Sequence, residues 1–106
     1  MKIEKAIESD HLILTEITKK SKAFWGYSVE QLKIWENNLT ISYQYIFKNA
    51  TFKLVENEVI IGYYSFVIND NNTIYLDNLF ILPENINQGF GKLLMKDFKK
   101  SRKQRF

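Results

Sequence analysis

The first half of the chain carries apolar residues at the spacing of amphipathic helices. Alternating charged and apolar residues over 2–7 predict a short first strand. Ile13, Ile17 and Phe24, helped by Leu14, then fall near one face of a helix predicted over 11–24. A second helix is predicted to begin at Ser28, because Ser28 and Gln31 can form a capping box. Its buried stripe is predicted to be Leu32, Trp35 and Leu39, and its end to be Asn37-Asn38.

The second half of the chain changes to the alternating period of strands. Strands are predicted over 51–56, 59–68 and 73–82, separated by turns rich in Asn and Asp. The stretch 40–49 is ambiguous between a loop and a helical turn. The last strand carries apolar residues on both predicted faces, a pattern typical of a central strand. The two faces are predicted to be Ile74, Leu76 and Phe80 on one side and Tyr75, Leu79 and Ile81 on the other.

The end of the chain reads as a loop followed by a helix. Pro83 ends the last strand, and the loop 84–91 leads into a helix predicted to run towards Lys100. Phe90, Leu94 and Phe98 form its apolar stripe. The predicted order is β-α-α-β-β-β-α, which indicates one α+β domain over residues 1–106 with a mainly antiparallel sheet.

Composition narrows the class of protein. The chain has 106 residues, 45% of them hydrophobic, which is enough for one small core. It has no cysteine and one histidine, so we expect no disulfide and no zinc or other metal site. The first ten residues contain no apolar run, so we expect neither a signal peptide nor a membrane span, and we expect a cytoplasmic location.

Positive charge is concentrated at the end of the chain. Residues 92–106 contain seven Lys or Arg and one acid, whereas residues 1–91 contain eight Lys or Arg and eleven Asp or Glu. Such a basic segment can bind nucleic acid. A solvated helix face explains it as well and is the interpretation we favour, so nucleic acid is not an expected partner.

The segment 87–92 has the sequence features of a phosphate-binding loop. A strand leads through a turn with two glycines into a helix, whose first N–H groups lack intrahelical acceptors and carry partial positive charge. Glycines allow the backbone to approach a bulky anion, and a diphosphate is the natural ligand. An ordinary strand-to-helix turn is the alternative. Gly-Lys-Ser/Thr of a Walker loop and the third glycine of a Rossmann motif are both missing from the sequence.

The residues around this loop resemble the GNAT acetyltransferases. In that family, the pyrophosphate loop has the pattern Gln/Arg-x-x-Gly-x-Gly/Ala and follows a strand that ends in a pattern like Leu-Tyr-Val-x-Pro-Glu. Here the strand end is Leu79-Phe80-Ile81-Leu82-Pro83-Glu84, and the loop glycines are Gly89 and Gly91. Ile60-Ile61-Gly62-Tyr63 resembles the third strand of the family. The resemblance covers residues 1–100 and implies the acyl-CoA N-acyltransferase fold, acetyl-CoA as co-substrate, and a primary amine of a small molecule or peptide as acceptor.

The same resemblance implies where acetyl-CoA binds. The pantetheine arm would pair with the backbone of Leu79, Phe80 and Ile81 as an added strand. The pyrophosphate would bind the N–H groups of Asn87, Gln88, Gly89, Phe90, Gly91 and Lys92. Ile86 occupies the usual Gln/Arg position. Its side chain cannot bond phosphate, so any contact there must come from the backbone.

Asp77 is the candidate for the catalytic base. Many members of the family use a carboxylate on the fourth strand, and the usual position corresponds to Tyr75, which is unsuited to this role. Asp77 lies two residues further on and is expected on the same face. A structural, hydrogen-bonded acid is the alternative. Glu84 and His11 are expected to be solvent-exposed. The acceptor pocket or the core would hold Trp25, Tyr27, Trp35, Tyr43 and Tyr45.

The family domain continues beyond the segment that this chain matches. A fifth strand normally forms the other wall of the coenzyme slot, so the chain is expected to be an incomplete, truncated GNAT domain. The strand 73–82 would then be an exposed edge, and such an edge invites pairing with a second copy. We therefore expect a homodimer. The alternative to an acetyltransferase is a catalytically inactive module that works by self-association or by binding a partner.

Overall fold

The predicted α+β class with an antiparallel sheet is confirmed in the computed structural model, which describes residues 1–35 and 39–104 and adds one short helix to the predicted order. A predicted helix end at Asn37-Asn38 lies outside those residues. Short 3₁₀ turns occupy Glu8–Asp10 and Pro83–Asn85. In chain order, the other elements are β1 (Lys2–Lys5), α1 (His11–Phe24), α2 (Val29–Ile34), α3 (Tyr43–Lys48), β2 (Ala50–Glu56), β3 (Val59–Ile68), β4 (Ile74–Ile81) and α4 (Phe90–Gln104).

The described strands form one antiparallel sheet in the order β1-β2-β3-β4. Its central hairpin turns at Asn57 and Glu58, whose φ angles of 51° and 67° lie in the left-handed region. Two consecutive left-handed residues match the right-handed twist of the strands on either side. In this order, β1 and β4 are the two edge strands of the described sheet. No helix in the described part of the chain is long and apolar enough to span a bilayer.

Helix α4 covers one face of the sheet. Its predicted stripe is confirmed, because Phe90, Leu94 and Phe98 are all buried. These side chains form one core cluster with Tyr64 and Phe66 of β3. The cluster fastens the start of α4 against β4, so the loop between them leaves the sheet at a defined place.

Helices α1 and α3 contribute to a second cluster on the opposite face of the sheet. The predicted inner face of α1 was partly wrong, since Ile13 and Phe24 are exposed. The buried positions of α1 are Leu14, Ile17, Thr18 and Ser21. They recur at i, i+3, i+4 and i+7, a stripe that hydrophobicity alone does not reveal, because two of its members are polar and find hydrogen-bond partners on the sheet.

The two faces of β4 also differ from the prediction. Ile74 and Leu76 pack on the α4 face together with Leu79 and Ile81, whereas Phe80 packs on the opposite face. The reason is a β-bulge: Ser65 pairs with Asn78 and Phe66 with Leu76, so Asp77 has no cross-strand partner. One extra residue in a strand inverts the alternation beyond it.

The N-caps of α2 and α3 follow local chemistry more closely. Ser28 caps α2 as predicted, its hydroxyl accepting from the Gln31 N–H at 3.1 Å. Leu39 is buried, while Leu32 and Trp35 are half-buried. The ambiguous stretch contains α3, which Ser42 caps by accepting from the Tyr45 N–H at 3.1 Å. The cap sets the start of the helix that carries Tyr45 towards the sheet.

Candidate active site

The loop between β4 and α4 exposes unpaired backbone N–H groups. Asn87 and Gly89 have φ angles of 69° and 81°, and two left-handed residues turn the chain sharply before α4 begins at Phe90. The first α-helical bond of α4 joins the Leu93 N–H to the Gly89 carbonyl at 3.1 Å. The N–H groups of the three residues after Gly89 therefore have no acceptor within the helix. They belong to the predicted segment 87–92.

The outer edge of β4 presents backbone groups of Leu79 and Ile81. The Leu82 N–H donates to the Ile61 carbonyl at 2.8 Å, and Phe80 pairs with Tyr63. Since hydrogen-bonded and non-bonded pairs alternate in an antiparallel ladder, Phe80 bonds to β3 while Leu79 and Ile81 point outwards. Of the three residues predicted to bind the pantetheine arm, Leu79 and Ile81 direct their backbone groups to the outer edge. Phe80 directs its backbone groups to β3 and offers only its ring at this place.

Gly62 makes this part of β4 possible. A Cβ at Gly62 would lie 2.8 Å from the Phe80 carbonyl oxygen and 2.7 Å from Ile81 Cδ1, closer than packed atoms approach. Glycine therefore lets β3 and β4 come together next to the edge groups. This is the physical reason for a glycine in the Ile-Ile-Gly-Tyr segment.

A groove of about 170 Å³ runs along this edge, which we call the edge groove. The Ser21 hydroxyl donates to the outward carbonyl of Ile81 at 2.9 Å. Ile86, at the position where the family usually has Gln or Arg, is half-buried and forms part of the wall. The described lining consists of Ser21, Trp25, Leu79, Phe80, Ile81 and Ile86.

A second groove, of about 350 Å³, adjoins the first across Phe80, and we call it the Asp77 groove. Of the five aromatic residues predicted for the acceptor pocket or the core, Trp35 lines this groove. Tyr43 is exposed and lies against the His11 ring, with 6.1 Å between centroids. The described lining is Thr18, Lys22, Trp35, Leu39, Asp77, Asn78 and Phe80.

Asp77 sits on the bulge of β4 and is exposed to this groove. The bulge, rather than simple alternation, sets its direction. Tyr45 of α3 donates its hydroxyl proton to Asp77 Oδ2. Glu84 is exposed as predicted, whereas His11 is half-buried.

The Tyr45 hydroxyl is the centre of a polar cluster beneath Asp77. It lies 2.9 Å from Ser65 Oγ, and Asn78 Nδ2 donates to the same Ser65 oxygen at 3.0 Å. Burial, and then the hydrogen bond to Asp77, raise the pKa of Tyr45 well above its ordinary value. The phenol therefore stays protonated and acts as a donor to the carboxylate.

Sequence reasoning missed several residues of the site. Ser21, Lys22, Ser65 and Asn78 were not singled out, and no local pattern marks them. Tyr45 was considered only as an aromatic wall. Each of these residues acquires its position from contacts between distant parts of the chain, such as Tyr45 and Asp77, which are 32 positions apart in the sequence.

Solved structures of acetyltransferases share this fold. The PaiA N-acetyltransferase from Thermoplasma acidophilum, in complex with coenzyme A, superposes with a TM-score of 0.84 and 21% identity over 98% of this chain. A GCN5-related N-acetyltransferase from Rhodopseudomonas palustris gives 0.77 and 18% over 98%. A GNAT family acetyltransferase from Brucella melitensis, in complex with acetyl-CoA, gives 0.70 and 14% over 98%.

This chain is shorter than those structures. It spans 72%, 66% and 69% of the three chains, respectively. Among curated protein sequences, none is similar enough to count as a relative. The model of the acetyltransferase (GNAT) family, whose co-substrate is acetyl-CoA, matches residues 14–105. The chain therefore belongs to the GNAT acetyltransferase family.

Proposed function

We propose that this chain transfers an acetyl group from acetyl-CoA to a primary amine of a small molecule or peptide. The observation that carries the proposal is the position of Phe80 between two grooves. One groove follows the outer backbone edge of β4 towards the start of α4, and the other contains Asp77. A cytoplasmic location is part of the proposal, and a chain without cysteine suits reducing conditions.

The edge groove supplies the contacts that acetyl-CoA needs. The outward backbone groups of Leu79 and Ile81 can pair with the amides of the pantetheine arm as a strand would. The N–H groups at the start of α4, with Lys92 beside them, can bind the pyrophosphate. Ile86 adds an apolar contact to the wall of the groove and no charge.

The chemical step takes place between the ligands of the two grooves. The amine nitrogen attacks the thioester carbonyl carbon, a C–N bond forms, and the C–S bond breaks. Asp77 accepts the proton that the amine loses, and coenzyme A leaves as a thiolate that is protonated from solvent. Tyr45 holds the carboxylate in place by its hydrogen bond and leaves the second carboxylate oxygen available to the amine.

An acetyl-transfer assay tests the proposal directly. Release of free coenzyme A thiol is measured with acetyl-CoA and a panel of primary amines, and the acetylated product is identified by mass spectrometry. We expect turnover with at least one amine. Absence of product with every amine, together with binding of acetyl-CoA, would favour the alternative of a catalytically inactive module.

Replacement of Gly91 by aspartate is expected to weaken acetyl-CoA binding at least about tenfold while the fold is kept. A Cβ at Gly91 meets no atom within 4 Å, so the side chain fits. An acid in the first turn stabilises a helix, yet it repels a pyrophosphate at the same place. Calorimetric titration with acetyl-CoA measures the change.

The matched control for this variant is Gly91→Asn, which adds the same volume without charge. We expect its affinity to stay within about threefold of the original chain, because only the charge opposes the anion. Equal losses in both variants would mean that bulk, and not a phosphate, explains the effect. Unchanged affinity in both would place the pyrophosphate elsewhere.

In the absence of acetyl-CoA, whose pantetheine arm would use the same backbone groups, the outer edge of β4 is expected to pair with a second copy of the chain. Leu79 and Ile81 direct their N–H and C=O groups outwards, and of these the Ile81 carbonyl also accepts from the Ser21 hydroxyl at 2.9 Å. An outer edge of this kind favours strand addition. We propose a homodimer, measured by sedimentation equilibrium at micromolar concentration. Replacing Leu79 by proline, which removes one edge N–H, should lower the dimer fraction, whereas a monomer at all concentrations would contradict the pairing.

A further inference from the structure

Lys22 brings a positive charge into the Asp77 groove. It follows Thr18 by one helical turn on α1, and both residues line the groove. Its ammonium nitrogen lies 5.7 Å from the centroid of the Phe80 ring and 5.6 Å from that of Tyr27. Attraction to the two ring faces holds the ammonium at the wall.

The described lining of the Asp77 groove pairs one cation with one anion. Lys22 and Asp77 are its charged members, and the rest of the described lining is polar, apolar or aromatic. A molecule with an amine at one end and an anionic group at the other complements both charges. A diamine would place its second ammonium beside Lys22, and like charges in a partly desolvated groove cost affinity.

The two charges are separated along β4. Asp77 lies on the bulge, and Phe80, beneath the Lys22 ammonium, follows three residues later. At about 3.3 Å per residue, three residues of strand span roughly 10 Å, and the bulge shortens this distance. This backbone separation favours a ligand whose amine and anionic group are several bonds apart over one that carries both on a single α-carbon.

We propose that the acceptor is an ω-amino carboxylate, a small molecule whose primary amine meets Asp77 and whose carboxylate is bound by Lys22. The inference rests on the proposed acetyl transfer for its chemistry. It goes further by assigning Lys22 as the residue that selects the acceptor by charge. The apolar parts of Leu39, Trp35 and Phe80 are suited to the methylene chain between the two ends.

Matched acceptor pairs test the assignment. For chains of three to six carbons, kcat/KM is measured for the ω-amino acid and for the diamine with an ammonium in place of the carboxylate. We expect the ω-amino acids to be preferred at least about tenfold. Preference for the diamines throughout the series would overturn the proposal.

Charge reversal at Lys22 is the decisive variant. Lys22→Glu should lower kcat/KM for the ω-amino acids at least about tenfold and raise it for the diamines. Lys22→Met should abolish the preference without reversing it, because it keeps the length of the side chain and removes the charge. Lys20→Glu is the matched control: it makes the same charge change on the exposed side of α1, where Lys20 pairs with Glu16 at 3.1 Å.

A binding measurement separates this inference from the proposed activity. Saturation-transfer NMR detects an ω-amino acid on the protein without turnover. Binding that Lys22→Glu removes and Lys20→Glu leaves intact supports the site even if no acetylated product forms, an outcome that would contradict only the acetyl transfer. Absence of binding, equal loss in both glutamate variants, or an effect of Lys22→Glu on the KM for acetyl-CoA alone would overturn the inference.

Discussion

Replacing Asp77 by asparagine is expected to lower kcat about 100- to 10,000-fold, the usual contribution of a positioned general base. Asparagine has the same shape, and its side-chain oxygen can still accept the hydrogen bond from Tyr45. It cannot take up the proton of the attacking amine. Affinity for acetyl-CoA should be unchanged, because the edge groove does not include this side chain. Stopped assays with saturating acetyl-CoA measure the rate, and calorimetry measures the affinity.

Two further variants bracket this result. Asp70→Asn makes the same chemical change in the exposed turn before β4 and should leave kcat within about twofold. Tyr45→Phe removes the hydroxyl that holds Asp77 and should lower kcat less than Asp77→Asn does, with little change in the KM for acetyl-CoA. Activity of Asp77→Asn within about threefold of the original would mean that Asp77 is a structural acid of the bulge.

The free energy of unfolding is expected to fall steeply above pH 10. The side chains of Tyr63 and Tyr64 are 0% exposed, and burial raises the pKa of both phenols above the ordinary value. The unfolded chain releases both protons near pH 10, while the folded chain keeps them. Their contribution to stability is therefore complete below pH 10 and is lost as pH rises above it. Tyr45, whose pKa is raised by burial and by the hydrogen bond to Asp77, adds a third proton, so the slope is about 4.1 kcal/mol per pH unit.

Urea unfolding followed by circular dichroism between pH 8 and pH 11.5 measures this slope. A domain of this size is stable by about 5–15 kcal/mol, so a loss of this steepness is readily seen. Tyr64→Phe should lower the slope by about a third, because it removes one of the three phenols. It should also lower stability at neutral pH, because the Tyr64 hydroxyl donates to Asp97 Oδ2 at 2.6 Å. A free energy of unfolding that stays constant up to pH 11 would contradict the burial of these phenols.

Elements with a strong local period were predicted well. The bounds of α1 and β3 agree with the prediction, and the stripe of Phe90, Leu94 and Phe98 is buried. In these segments, the spacing of apolar residues is enough to predict the type of element and its bounds. The loop glycines likewise carry the signature of the family, and at Gly89 the left-handed φ of 81° favours glycine.

Predictions of the face to which a side chain points were less successful. The inner stripe of α1 runs through Thr18 and Ser21, which are buried because partners on β3 and β4 satisfy their hydroxyl groups. The faces of β4 exchange at Asp77, because pairing with β3 leaves one extra residue there. Neither fact is encoded in a local window of sequence.

The sequence by itself determined the order of the elements, the glycine loop and the membership in a family, since these depend on residue type and spacing along the chain. Tertiary structure alone decided which side chains meet at the two grooves. Asp77 is joined to Tyr45 across 32 residues, and Lys22 of α1 is held over the ring of Phe80 on β4. Such contacts arise from the packing of a helix on a sheet, whose register and bulges are properties of strand pairing and not of any one segment.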